Sequence, residues 1–371
     1  MVLSLKEIAG SDSLDLFHND GPVAHGLPAF AYTNRDYWNL ENEKLFGNTW
    51  VFVGFAHEIP EPGDVIPLTV GNRPVFLVRT RTHEIKAFHN ACRHRCLKLV
   101  DKTGNVGPRI RCPYHSWVYG LNGELKSTPY FGGPDLHTPR GFSNEKHGLL
   151  PVHCRVWHDW IFVNLSEEPE DFADHVAPLA SRLSDMDLDT ILPVATLVFG
   201  EIHTNWKLLM ENFIEPYHVQ FVHSTTTDQP LKDHYTVIDG KCLGSAIEIS
   251  KPVGRGTNTL AVNSLYLTLF PNFVLGRYIP DQIGVHLNRP IDMDRTEQKR
   301  VIYLTDGADR SRAEIENLEN LWYKVHLEDH AMCERLQLGK SSIVAIDGGR
   351  LSPHWEISVK RFQELALDAV R

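Results

Sequence analysis

The spacing of apolar and polar positions divides the chain into stretches of different texture. Between residues 50 and 166, short apolar runs such as WVFVGF, RPVFLVR and WIFVNL are separated by Pro, Gly and Asn turns, which predicts strands. Residues 1–49 predict an arm with one helical patch, NRDYWNLENEKLFGNTW. Beyond residue 167 the apolar period lengthens. DHVAPLASRLSDM, HTNWKLLMENFIEPYHVQFVH and SRAEIENLENLWYKVHLEDHAMCERLQLG read as helices, with the strand-like runs SLYLTLFPNFVLG and KRVIYLT between them. The expected organisation is an arm (1–49), an all-β domain (50–166) and an α+β domain (167–371), without internal repeats.

Composition narrows the function. With 371 residues and 42% hydrophobic content, the chain can form two domains. No run approaches the roughly 18 apolar residues of a membrane span. The start, MVLSLKEIAGSDSLDLF, lacks the long apolar core of a secretory signal, so a cytoplasmic protein is expected. A net charge of −10 argues against a nucleic-acid partner. Six cysteines in a chain this long do not suggest a disulfide scaffold, and intracellular cysteines near histidines are more often ligands. The 20 histidines turn attention to metals.

Two cysteine–histidine pairs stand in the β region. Cys92-x-His94 is followed by 17 residues and then Cys112-x-x-His115, in ACRHRC…RCPYHSW. A structural zinc site also takes two cysteines and two histidines, but zinc fingers usually gather a cysteine pair first and a histidine pair later. Here each loop supplies one thiolate and one imidazole, which suits a two-iron cluster with both cysteines on one iron and both histidines on the other. This stretch resembles a Rieske [2Fe-2S] domain. The motif leaves out Cys96, read as a small buried filler; Cys154, Cys242 and Cys333 are expected in cores. Arg93, Arg95, Lys98, Lys102, Arg109 and Arg111, against the single acid Asp101, form a local basic excess that could receive an acidic electron donor.

A second constellation lies in NFIEPYHVQFVH, residues 212–223. On a regular helix Glu215 and His218 share a face, whereas His223 falls about 140° from His218. Pro216 removes the hydrogen bond to the Asn212 carbonyl, so a helix distorted or ended there can turn His223 back. Two histidines with a distant carboxylate form the facial triad of non-haem iron(II). The stretch resembles the catalytic signature of Rieske non-haem iron oxygenases. That resemblance, covering about residues 45–340, implies roles for Asn212 and for Glu215 as a bridging acid before the first histidine ligand. Ring-dihydroxylating members commonly have aspartate there; glutamate is similar to the branch acting on choline, carnitine and betaine-type substrates. For the third iron ligand, LEDHAMCERLQLG offers Glu328, Asp329 and Glu334. Resemblance to the family's late acidic motif points to Asp329, with Glu328, Asp347 or no carboxylate left open.

The resemblance implies an all-β Rieske domain followed by an α+β catalytic domain with helices packed on an antiparallel sheet. It further implies a Rieske cluster, mononuclear Fe(II), O2 as co-substrate, and a homotrimer coupling the cluster of one subunit to the iron of the next. The chain has no GxGxxG fingerprint and no plant-type ferredoxin cysteine run, so NAD(P)H would act only through a separate reductase or ferredoxin. The favoured small-molecule substrate is aromatic or an aromatic acid, hydroxylated or demethylated; the alternative is a quaternary amine. A Rieske electron carrier without oxygenase activity and a zinc-stabilised binding module are the competing classes. Residues 260–290 are expected to wall the substrate pocket, with Tyr266, Phe270, Phe273 and Tyr278 as aromatic candidates.

Overall fold

In the computed structural model, Phe46–Glu170 form one unit, and Met1–Leu45 join Asp171–Arg371 in the other. The structure describes residues 2–10, 14–19, 21–227, 229–248, 263–279, 281–305 and 310–371.

The first unit is built from strands. They are β1 (Val51–Phe55), β2 (Asp64–Val70), β3 (Arg73–Arg79), β4 (Ile85–His89), β5 (Gly104–Asn105), β6 (Arg109–Arg111), β7 (Val118–Gly120), β8 (Leu125–Ser127), β9 (Pro151–Trp157) and β10 (Trp160–Asn164). A seven-stranded sheet runs β1-β10-β9-β4-β3-β2-β5, and β6-β7-β8 form a smaller one. The apolar runs recognised in the sequence become β1, β3 and β10. Every residue of β1 and β10 is buried, which is why they read as unbroken hydrophobic segments rather than alternating ones. Val65, Phe76, Phe88, Trp117, Tyr119 and Leu125 share a core with Cys92 and Cys112. The two cysteine loops therefore rest on packed side chains.

Among the described residues the second unit begins with the short helices α1 (Leu5–Ala9), α2 (Asp15–His18), α3 (Phe30–Thr33) and α4 (Arg35–Leu40), the last running into a π-helical turn, Glu41–Leu45. After α5 (Phe172–Arg182) come β11 (Leu192–Ile202), α6 (Trp206–Ile214) and α7 (Val219–Val222). The strands β12 (His234–Asp239), β13 (Cys242–Glu248), β14 (Asn263–Leu269), β15 (Phe273–Ile279), β16 (Gln282–Asp292) and β17 (Arg295–Leu304) precede α8 (Arg312–Lys340) and α9 (Ile357–Asp368). Strands β12 to β17 form an antiparallel meander, and β11 pairs with β17 at its far edge. Helix α6 packs on β13, β14 and β16 and against α8 and α9. A capping box, Ser311 with Glu314, starts α8. His326, His330, Cys333 and Gln337 then form its buried stripe, at helical spacing.

The arm is tied to α6 by charge. Lys207 Nζ lies 2.7 Å from Glu41 Oε1, with the side chains 0% and 1% exposed. Tyr32, Tyr37 and Trp206 surround the ammonium. Glu41→Ala would leave it buried and unpaired, and is expected to cost about 3–5 kcal/mol of stability. Denaturant unfolding checks this; a loss below about 1 kcal/mol, as for a surface pair, would contradict it.

Candidate metal centres and their cavity

The two cysteine loops of the first unit repeat one backbone design. In each, the cysteine N–H donates to the carbonyl five residues on, Cys92 to Leu97 and Cys112 to Trp117, both at 2.8 Å. The N–H four residues on returns to the cysteine carbonyl, from Cys96 at 2.9 Å and Ser116 at 3.1 Å. Cys96 and Ser116 take the left-handed conformation, with φ of 58° and 57°. Cys96 is thus an exposed turn residue, not the buried filler expected from its size. Cys242 and Cys333 are buried as expected, whereas Cys154 is only partly so.

These turns bring the predicted ligands together. Cys92 and Cys112 are buried, and the His94 and His115 ring centroids lie 4.6 Å apart. His94 stacks on Trp117 at 5.0 Å. His115 Nδ1 is buried without a hydrogen-bond partner among the described residues, as expected of an atom reserved for a metal. Two thiols and two imidazoles, one of each per loop, fit a Rieske cluster.

Sequence reasoning missed Tyr119. Its hydroxyl sits 3.2 Å from Cys92 Sγ and accepts the Arg93 N–H at 3.0 Å. Burial, with Cys92 beside it, raises the Tyr119 pKa and keeps the phenol protonated. It can therefore donate to a thiolate and withdraw charge from the sulfur. Losing a bond worth about 1 kcal/mol, Tyr119→Phe is expected to lower the one-electron potential by about 40 mV. Voltammetry checks this, and an unchanged potential would remove Tyr119 from the tuning.

The second constellation forms where α6 ends. Glu215, preceding Pro216, is extended at φ −114° and ψ 141°, as steric crowding before proline requires. The helix stops there rather than bending. Glu215 and His218 consequently meet across a turn and not on a helical face. His218 and His223 flank the one-turn α7 as its two caps. His218 Nε2 lies 3.6 Å and His223 Nε2 3.1 Å from Asp329 Oδ1 on α8. One ligand atom from each of the three side chains falls within 4.8 Å of the others.

Each imidazole is held from behind. His218 Nδ1 meets Glu215 Oε1 at 2.6 Å, and His223 Nδ1 meets Glu328 Oε2 at 2.8 Å. Both carboxylates place the ring proton on Nδ1 and leave Nε2 free to face Asp329. Thr226 Oγ1 supports Glu328 at 2.7 Å, and Asn212 Nδ2 donates to Asp329 Oδ1 at 2.9 Å. Burial opposes charge on both histidines, but the carboxylates beside them override it and raise both pKa values. Asp329 shows the converse: burial is outweighed by the two histidines and Asn212, and its pKa falls. Two nitrogens and one oxygen in an acid-rich setting fit a divalent cation, and the donor set is that of non-haem iron(II). Of the alternative third ligands, Glu328 instead sits behind His223. Asp347 is bonded to Arg350 at 2.8 Å, and Glu334 accepts the His203 N–H at 3.1 Å.

These groups border a cavity of about 550 Å3 in the second unit. Tyr266, Tyr278 and Arg300 also line it, and burial lowers the pKa of its His234 to about 4, keeping that ring neutral. Of the four aromatic candidates, Tyr266 and Tyr278 reach the cavity. Phe270 and Phe273 are core residues, Phe270 packing on Phe362 of α9 at 5.6 Å. Residues 260–262 and 280 of the expected wall lie outside the described residues.

Residues 49–139 match the Rieske [2Fe-2S] domain, and residues 185–371 match the ring hydroxylating alpha subunit catalytic domain. The chain is 34% identical over 199 residues to the glycine betaine monooxygenase oxygenase subunit of Chromohalobacter salexigens, covering 54% of this chain and 43% of that protein. It is 31% identical over 212 residues to the salicylate 5-hydroxylase large oxygenase component of a Ralstonia species, covering 55% and 50%. These matches thus span about half or less of either relative's length. A quaternary ammonium Rieske monooxygenase solved with γ-butyrobetaine superposes at a TM-score of 0.79, over 96% of this chain and 98% of that one. At 22% identity, that likeness speaks for the fold alone. The catalytic-domain match spans half of the chain and follows a Rieske [2Fe-2S] match, so the chain belongs to the ring hydroxylating alpha subunit family of Rieske non-haem iron proteins.

Proposed function

We propose that the chain is the terminal oxygenase of a multicomponent system that oxygenates a small quaternary ammonium compound. The observation that carries the reading is the convergence of His218, His223 and Asp329 on one cavity, in a chain that also holds a Rieske ligand set. Iron bound there would supply O2 activation, with electrons passed from NAD(P)H through a separate reductase or ferredoxin. The protein's own contribution is positional. Glu215 and Glu328 fix the imidazole tautomers, Asn212 orients the Asp329 carboxylate, and Tyr266, Tyr278 and Trp322 line the cavity beside them.

The likeness to a glycine betaine monooxygenase subunit favours the quaternary amine over the aromatic substrate preferred from sequence. An aromatic acid is the second reading, favoured by the salicylate 5-hydroxylase relative. We also propose a homotrimer. Leu338, Ile343, Val344 and Ile346 are 64–81% exposed, apolar side chains close in sequence that a second copy of the chain would cover. Oxygen uptake driven by NADH and a Rieske-type reductase, measured with betaines, choline and aromatic acids, tests the reading. Uptake and product with a quaternary amine support it, whereas turnover of aromatic acids alone would replace it by the second reading.

A further inference from the structure

The cavity contains a buried cation with no carboxylate in contact among the described residues, although Tyr278 and Asp329 favour its charge. Arg300 of β17 lines it and is only 1% exposed. Its guanidinium carbon lies 3.8 Å from the Trp322 ring centroid and 5.0 Å from that of Tyr278. One terminal nitrogen is 3.4 Å from His326 Nε2. Nε and the other terminal nitrogen have no hydrogen-bond partner among the described residues. A buried guanidinium with two of its three nitrogens unpaired among the described residues is costly, so a retained one calls for a partner that arrives later.

The sheet is shaped around this side chain. Gly276 of β15 and Gly284 of β16 are paired in register. A Cβ at Gly284 would overlap the guanidinium, and one at Gly276 would overlap the Tyr278 ring. Two adjacent strands thus give up their side chains where Arg300 and Tyr278 lie over them. The surrounding wall also holds unpaired polar nitrogens, to which the neutral His234 ring contributes one donor and one acceptor. Gln282 Nε2, Trp322 Nε1 and the ring nitrogens of His234 are buried without partners among the described residues. The acids lining the cavity, Glu215 and Asp329, are engaged with the imidazoles.

We infer that Arg300 receives a carboxylate of the substrate. Tyr278 and Trp322, which could otherwise cage a quaternary ammonium, already flank this guanidinium, and a second cation beside them would be repelled. The inference rests on the proposed quaternary-amine oxygenase and narrows it to zwitterions, a trimethylammonium carboxylate rather than an amino alcohol.

Calorimetric titration of the iron-loaded protein with glycine betaine, choline, salicylate and phenol tests it without requiring turnover. Glycine betaine is expected to bind at least about 30-fold more tightly than choline, the scale of a buried charge-assisted hydrogen bond. Arg300→Met should bring the two within about threefold of each other, and Arg300→Lys should keep part of the preference. Equal wild-type affinities for glycine betaine and choline would overturn the inference while leaving the quaternary-amine reading intact, and this comparison needs no variant to fold. Arg300-dependent binding of salicylate without any binding of glycine betaine would keep the carboxylate site and remove the quaternary-amine reading. If neither acid binds, or acids bind equally to Arg300→Met, Arg300 is not a carboxylate receptor.

Discussion

Replacing Asp329 by alanine is expected to remove the mononuclear iron and all turnover while leaving the Rieske colour unchanged. Asp329 Oδ1 is the one oxygen toward which both histidine Nε2 atoms turn, at 3.6 and 3.1 Å, and the only carboxylate of that three-residue cluster. Without it, two neutral imidazoles would face a divalent cation with no compensating charge in the first coordination sphere. The Rieske ligands belong to the other unit, whose core is its own. Their visible and EPR spectra should persist. Glu328→Gln makes a useful contrast. It touches His223 only through Nδ1, so it should weaken iron binding or activity by about 10–100-fold rather than abolish them. Metal analysis and spectra of the two variants check this pair. Full iron and activity in Asp329→Ala would show that the third ligand lies elsewhere.

Glu215→Gln carries the next largest expected effect, on electron delivery. Oε1 accepts the His218 ring proton at 2.6 Å, and Oε2 accepts backbone N–H groups of Tyr217 and His218. Every partner is a donor, so an amide would present its own N–H groups to donors on one side. The charge that raises the basicity of His218 would also be lost. By the family resemblance this acid would further meet a Rieske histidine, His115, of the adjacent subunit. The variant is therefore expected to keep both metals but to slow oxidation of the pre-reduced cluster by about 100-fold or more. Stopped-flow absorbance with substrate and O2 reads that step. A wild-type rate would sink the bridge, and loss of iron alongside the rate would recast Glu215 as a support of the metal site.

What the sequence disclosed and what it hid follow the length scale of the contacts. Cys92, His94, Cys112 and His115 lie in two tight loops, so their spacing alone carried the pattern. His218 and His223 were legible for the same reason, with Pro216 as the cue that the helix could not continue. Asp329 lies on α8 across the fold from them in sequence, and residue type alone could not separate it from Glu328. Folding did so by aiming one carboxylate at Nε2 and the other at Nδ1. Phe270 and Phe273 looked equivalent to Tyr266 and Tyr278, but only two of the four reach the cavity. Arg300 was invisible, an ordinary charge in a strand-like run, because its meaning depends on Gly284 in the neighbouring strand and Trp322 on a helix. Tyr119 had a faint signal, two residues beyond Trp117 at strand spacing, and so on the same face behind the loop.

The central claim, two iron sites serving oxygenation in one chain, is tested most directly by a single-turnover experiment on protein with counted iron. The iron-loaded chain would be reduced chemically, freed of reductant and exposed to O2 with glycine betaine. The account predicts about three iron atoms per chain, a Rieske-type EPR signal that disappears on mixing, and an oxygenated or demethylated product formed without an external donor. About two iron atoms per chain, with cluster oxidation and no product from glycine betaine or an aromatic acid, would contradict it and leave a Rieske electron carrier.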